Sequence, residues 1–455
     1  MSQRPGPGPV LAALPDVLAD CVGFYLDVHR SPELSGAEER TAGLFADRLR
    51  AGGYRVTTGI GGHGVAGVLR NGPGPVVLLR AELDALPVRE ATGAAYASTV
   101  RAPQDAAADG SCGAAGGGVV PVSHACGHDM HLACLAGAAA LLARGAAHWR
   151  GTAVVVGQPA EETLTGAEAM LRDGLYERLP APSVVLAQHT APLPAGMVAH
   201  GGGLMLSAGA MVTVTAHGTG GHAATAHLGV NPVEVAAAIT LRARESVAAA
   251  FGAGDHVSVT VGALHAGTRG NVVPDRARLE IAVRAPDAAR RDRAVEVLRG
   301  VCAREGAAYG CPRAPQVEVR ALSPATVCDA PTLAALRTAH LAAFGAGRVA
   351  GWPPSSATED FALFGSAGAW LHGVPGIRTG YWMLGSVGPL PWRTAPGGTA
   401  AEKLAALPGN HSPAFLPDPR LTTPAGITAM TTGALAMLGT ARGEGASAGD
   451  ELGPG

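Results

Sequence analysis

The chain is 455 residues long with 47% hydrophobic and 15% charged residues, so it has ample apolar surface to bury and exceeds one core; two domains are expected. Its formal net charge of −2 leaves no cationic surplus for phosphate backbones or anionic bilayers, which excludes nucleic acid and membranes as partners. Seven cysteines without CxxC spacing fit a reducing compartment better than a disulfide scaffold.

In chain order, the opening "MSQRPGPGPVLAALPDVLADCV" is broken by prolines, Asp16 and Asp20, so no signal peptide is read and a cytoplasmic protein is expected. A helical stretch, "AEERTAGLFADRLRAGG", precedes "PVVLLRAELDALP", an apolar run that ends at Glu82 and Asp84. A Gly/Ala-rich addition around Cys112 then leads to "SHACGHDMH", which gathers His124, Cys126, His128, Asp129 and His131. The apolar run 132–143 is too short to cross a bilayer and reads as a buried helix. "TAVVVGQPAEET" ends at Glu161 and Glu162, and "SVVLAQHTAP" ends at His189. Short apolar strands alternating with helices predict a mostly parallel α/β sheet, whose ligands gather beyond the carboxyl ends of its strands.

From Ser207 the texture changes to alternating strands. "GAMVTVTAHG", a helix capped by Asn231 and Pro232, "HVSVTVGALHAG", "RARLEIAVRA", a second helix and "QVEVRAL" make a β-α-β-β-α-β unit of ferredoxin-like α+β type. It is read as an insertion over 207–322, between catalytic parts 1–206 and 323–440, with a tail 441–455 expected to be disordered. A second addition surrounds Trp392.

Thiolate, imidazole and carboxylate are the ligands of zinc and its neighbours, and Cys126 and His128 flank a glycine that permits a tight turn. Taken singly, His124, Asp129 and His131 read as capping or solvated residues. Adjacent Glu161 and Glu162 in an extended segment face opposite ways, so one can bind metal while the other moves protons for an attacking water.

"HRSPELSGAEERTA", "RAELDALPV", "HACGHDMH", "GQPAEETLTGAEAMLRDGLYE", "GTGGHAATAHLGVNPVEVAAA", "GTRGNVVPD", "ATEDFALF" and "NHSPAF" resemble, in order, the amidohydrolase branch of the zinc-peptidase clan. That branch includes hippurate hydrolases, N-acyl-amino-acid amidohydrolases and hydrolases of indole-acetyl amino acids. The resemblance covers roughly residues 15–435. It implies a dinuclear site for two divalent metal ions (manganese or zinc, with cobalt or nickel as alternatives). Its ligands would be Cys126, His128, Glu162, His189 and His411, with Glu161 as general base and acid. Only the resemblance brings in His411. It also implies that His222 donates to an oxyanion, that Asn271 holds a substrate carboxylate, and that the insertion forms a homodimer contact; as an independent packing unit with two joins, the insertion is itself expected to act as a lid.

The family usually has aspartate where this chain has Glu82, so the hydrogen bonds that Glu82 and Asp84 make behind the ligands are expected to be retuned. The expected activity is metal-dependent hydrolysis of an N-acyl amino acid or similar small molecule. The rivals are a cysteine hydrolase using Cys126 and a binding protein that has lost turnover.

Overall fold

The computed structural model describes residues 8–103 and 118–440; the Cys112 addition and the proposed tail lie outside these. Helices α1 (Leu14–Arg30) and α2 (Glu39–Ala51) lead into the antiparallel pair β1 (Arg55–Ile60) and β2 (Gly64–Asn71), followed by β3 (Val76–Glu82). Helix α3 (His128–Arg144) precedes β4 (Trp149–Gln158), a short α4 (Gly166–Arg172) and β5 (Val184–Pro194). The helical stretch after Glu162 is broken at Gly174, whose φ of +79° ends α4 and starts a separate turn. Two further strands follow, β6 (Val198–His200) and the long β7 (Leu204–His217).

Strands β3, β4 and β5 run parallel at the centre of a nine-stranded sheet, because each is buried on both faces and each return passes through a helix. Alternation sorts their side chains. Val77, Leu79, Ala153 and Val155 meet α1, α2 and α3 on one face, whereas Leu78, Val154 and Val156 enter a second core on the other. At one edge β1, β2 and β4 pair antiparallel, and at the other Val198–His200 pairs antiparallel with Arg378–Val387 and parallel with Val349–Gly351, so the sheet is mixed around a parallel centre. α3 is buried along nearly its whole length, as its unbroken apolar run requires.

Strand β7 passes directly into a second sheet. Helix α5 (Pro232–Ala250) starts at an Asn231 cap and is followed by β8 (Ser258–Ala266) and β9 (Arg276–Ala285). Helix α6 (Ala288–Ala308) and β10 (Gln316–Ser323) complete it in the antiparallel order β8-β9-β7-β10. α5 and α6 cover one face over a core of Val212, Val214, Ile239, Leu279, Ile281 and Leu298. The first join to the rest of the chain runs inside β7, and the second leaves the end of β10 through residues 324–325. Thr326–Val327 and Ser355–Thr358 also pair with β7.

The chain then returns to the first sheet through α7 (Ala330–Phe344), β11 (Val349–Gly351), β12 (Arg378–Val387) and α8 (Pro419–Met437). The addition around Trp392 forms two short helical turns, Pro389–Thr394 and Ala400–Ala406, joined by a bond from Lys403 Nζ to the Trp392 carbonyl at 3.0 Å. Among the described residues, no helix is long and apolar enough to cross a membrane.

Candidate metal centre

The centre lies where β3 and β4 end and α3 begins, against His189 in the middle of β5, which runs on to Pro194 rather than stopping at the histidine. Gly127, at φ +85°, caps α3, and a Cβ there would lie 2.5 Å from Thr190 Oγ1. Glycine is therefore required for the turn that sets Cys126 and His128 on either side of it. Cys126 Sγ lies 3.5 Å from His189 Nε2.

His128 Nδ1 lies 2.9 Å from the Asp84 carbonyl and 3.1 Å from Asp84 Oδ1, both acceptors. Nδ1 therefore carries a proton, and Nε2 is left buried without a partner. The second Asp84 oxygen accepts from Ser35 Oγ at 2.7 Å and from the Glu162 amide at 2.9 Å, so one carboxylate orients two residues of the centre.

Glu161 and Glu162 do not diverge as an extended segment would make them. They occupy a turn in which Ala160 and Leu164 adopt φ of +50° and +57°, and both carboxylates approach His128 Nε2, at 3.6 and 3.7 Å. His411, itself at φ +70°, is anchored by its amide to the Ala125 carbonyl at 2.7 Å and reaches Glu162 Oε2 at 3.3 Å. Such a backbone costs a non-glycine residue about 1–3 kcal/mol, offset here by that anchoring.

Among the described residues, five sets of donor atoms each lie within 4.8 Å of one another: Cys126, His128 and His189; Cys126, Glu162 and His411; His128, Glu161 and Glu162; Glu82, His128 and His131; and Glu161, Glu359 and Asp360. Cys126 belongs to two of them. The electrostatics show a pocket short of positive charge. Burial and then Glu359, Glu162 and Asp360 push Glu161 well above the carboxylate range. Burial alone would depress His128, yet Asp84, Glu82 and Glu162 lift it to about 10. Burial, then His131, takes His189 down to about 3, leaving it neutral and able to donate a lone pair. Buried, unpartnered His128 Nε2 and Glu162 Oε1, surrounded by surplus carboxylate, fit a divalent cation with mixed S, N and O ligands.

Of the residues singled out from sequence, Cys126, His128, Glu161, Glu162, His189 and His411 converge, and Glu82 and Asp84 stand behind them. His222 and Asn271 do not enter the centre. They share an exposed ribbon, Gly221–His222 paired with Val272–Val273, where Ala223 donates to the Asn271 carbonyl at 3.1 Å. His124, Asp129 and His131, read singly as solvated, are all buried; Asp129 pairs with His29 at 2.6 Å. Sequence reasoning missed Arg284. It is the penultimate residue of β9, donates to the Ser356 carbonyl at 3.1 Å, and is held below the usual arginine range by burial, against which the charges of Glu162 and Glu161 act. It also missed Asn410, whose Nδ2 holds the Cys126 carbonyl at 2.9 Å; its place beside His411 was the available signal.

A parallel-centred α/β sheet with thiolate, imidazole and carboxylate donors converging at its strand ends defines a metallohydrolase. The chain belongs to peptidase family M20/M25/M40, whose sequence pattern matches residues 78–388, and it is a metal-dependent hydrolase of amidohydrolase type. It is 32% identical over 277 residues to the hippurate hydrolase of Campylobacter jejuni, covering 60% of this chain and 67% of that protein. Over 360 residues it is 29% identical to an N-acetyl-L-cysteine deacetylase of Bacillus subtilis, covering 78% of each. In fold it resembles a dinuclear metal-binding peptidase of the M20 family from Bacillus subtilis, with a TM-score of 0.63 and 24% identity over 93% of this chain and 99% of that one.

Proposed function

We propose that the chain hydrolyses the amide bond of an N-acyl amino acid, with Cys126, His128, Glu162, His189 and His411 holding two divalent cations. The observation that carries this reading is the convergence of those five donor residues around Cys126, with Glu161 beside them. The mixed donor set favours manganese or zinc, and also accepts cobalt or nickel. Bound cations would bring a water's pKa from that of bulk towards about 7 and polarise the amide carbonyl.

Glu161 takes the proton from the attacking water and returns it to the leaving nitrogen. A carboxyl whose proton affinity is raised by burial and by Glu359 suits both halves of that transfer. Arg284, near the end of β9 and coupled electrostatically to Glu162 and Glu161, offers a cation to the substrate's free carboxylate, and Asn271 would assist from the same exposed ribbon as His222. His222 donates to the developing oxyanion. Because His222 is exposed on a ribbon that bears exposed Val272 and leads into a turn ending at exposed Leu228, delivery to the centre of a second copy, in a homodimer formed through 207–322, is the arrangement proposed. The six described cysteines are free, which supports a cytoplasmic protein.

The cysteine-hydrolase alternative is disfavoured by the same geometry. Burial and then Glu162 and Glu161 raise the Cys126 thiol well above its ordinary range, and the nearest imidazole, His189, is too weak a base to ionise it. The test is a panel of N-acyl amino acids assayed beside their carboxamides, with the wild type and Arg284→Met. Preference for the free acid, lost in Arg284→Met mainly through KM, is expected. Equal turnover of acid and carboxamide by the wild type would remove the amino-acid part of the reading.

A further inference from the structure

Behind the centre lies a chain of buried hydrogen bonds that the catalytic scheme does not use. Glu82, the last residue of β3, is fully buried and divides its carboxylate: one oxygen pairs with Arg80, and the other lies 2.7 Å from His131 Nδ1. Arg80 is itself pinned by Glu359 at 2.7 Å and Gln158 at 2.8 Å, so Glu82 cannot swing away. On the far side of the imidazole, His131 Nε2 accepts from the Thr190 amide at 2.8 Å. The Thr190 carbonyl accepts from His189 Nδ1 at 2.9 Å, and this turns His189 Nε2 towards Cys126 Sγ. The His131 and His189 rings pack edge to face at 4.5 Å.

The directions of these bonds leave one consistent assignment. A backbone amide can only donate, so His131 Nε2 must be the acceptor and its proton must sit on Nδ1. A proton on Nδ1 needs an acceptor, and Glu82 is the only group bonded there among the described residues. We propose that Glu82 is a positioning residue for His189: it fixes the tautomer of His131, which holds the Thr190 peptide that aims the His189 ligand nitrogen. The inference rests on the reading that His189 binds a cation.

Residue length matters to this arrangement. An aspartate here would be about 1.5 Å shorter, one carbon–carbon bond, and could not span both Arg80 and His131 without shifting one of them. A glutamine fails differently. Its single carbonyl oxygen can face either the guanidinium or the His131 N–H, and its amide group then confronts a donor on the other side.

The experiment is calorimetric titration of chelator-treated wild type, Glu82→Gln and Glu82→Asp with Co2+ alone. Outer partners of metal-bound histidines typically change affinity about 10–100-fold. Two ions are expected on the wild type. One of them should bind Glu82→Gln about 10–100-fold more weakly while the other is held as before, with Glu82→Asp between. Unchanged affinity for both ions in the two variants would overturn the inference. So would an equal loss at both sites, which marks a general structural effect. If Glu82→Gln does not fold, Glu82→Asp decides by the same criterion. A wild type that holds fewer than two Co2+ would overturn the metal reading itself and this inference with it, a result visible before any variant is measured.

Discussion

A glutamine at 161 would match the shape of the glutamate yet carry no proton from water to leaving amine. Glu161→Gln should therefore keep its metals and lose kcat by about 10²–10⁴-fold, the usual worth of general acid–base assistance. Metal analysis with kcat on the same sample checks this, and near-normal kcat would remove Glu161 from the scheme. At this scale the sequence was most legible where ligand types crowd together. Cys126, His128, Glu161 and Glu162 stand out from an alanine-rich background, whereas a lone loop histidine such as His411 carries no signal of its own. Arg284 was hidden for a related reason: an arginine near a strand end is ordinary until the fold brings it within the electrostatic reach of Glu162.

The N-terminus of α3 is the element on which the centre depends, and two changes probe it. Gly127→Ala would put a Cβ 2.5 Å from Thr190 Oγ1 at a φ of +85°, so it should lower Tm and release metal together, read by calorimetry and metal analysis. Behind the same turn, Asp129 bonds His29 of α1 at 2.6 Å, and Glu90 approaches the other ring nitrogen at 3.2 Å. Burial opposes protonation of His29, but these two carboxylates prevail and raise it from 6.5 to about 9. Because the folded value lies above the unfolded one, this pairing stabilises fully below about pH 6.5 and is lost as pH rises through about 9. His29→Gln should destabilise by about 3–5 kcal/mol near neutrality, since it leaves buried Asp129 without its cation. It should also flatten the decline in the urea midpoint of metal-free protein between pH 7 and 10. A variant as stable as wild type, with the same alkaline decline, would refute the pairing. Among elements, β3 and β4 were legible because their apolar runs stop at polar ligands, whereas β5 continues past His189 to Pro194. The turn at Glu161 and Glu162 was not: positive φ at Ala160 and Leu164, neither of them glycine, is set by tertiary bonds rather than by local propensity.

At the scale of the molecule, the second sheet is entered through strand β7 and left through residues 324–325 after β10, so movement of His222 towards a centre would involve bending of β7. If His222 serves a second copy, Glu161→Gln and His222→Ala should each be nearly inactive alone. Mixed and re-formed dimers should regain roughly a quarter of wild-type sites, because half the dimers are mixed and each contains one intact pair. No recovery on mixing would confine His222 to its own subunit or to structure. The alternation that gave the β-α-β-β-α-β order was plain in the sequence, but the exposure of His222 and Asn271 on their ribbon was not, since it depends on what surrounds the ribbon.

The most direct test of the account is the rate at which free amine is released from an N-acyl amino acid by chelator-treated protein, titrated with Mn2+ or Zn2+. The donor set predicts negligible release without metal and recovery that saturates at two ions per chain. Undiminished release from metal-free protein, or none from any N-acyl amino acid with two ions bound, would contradict it.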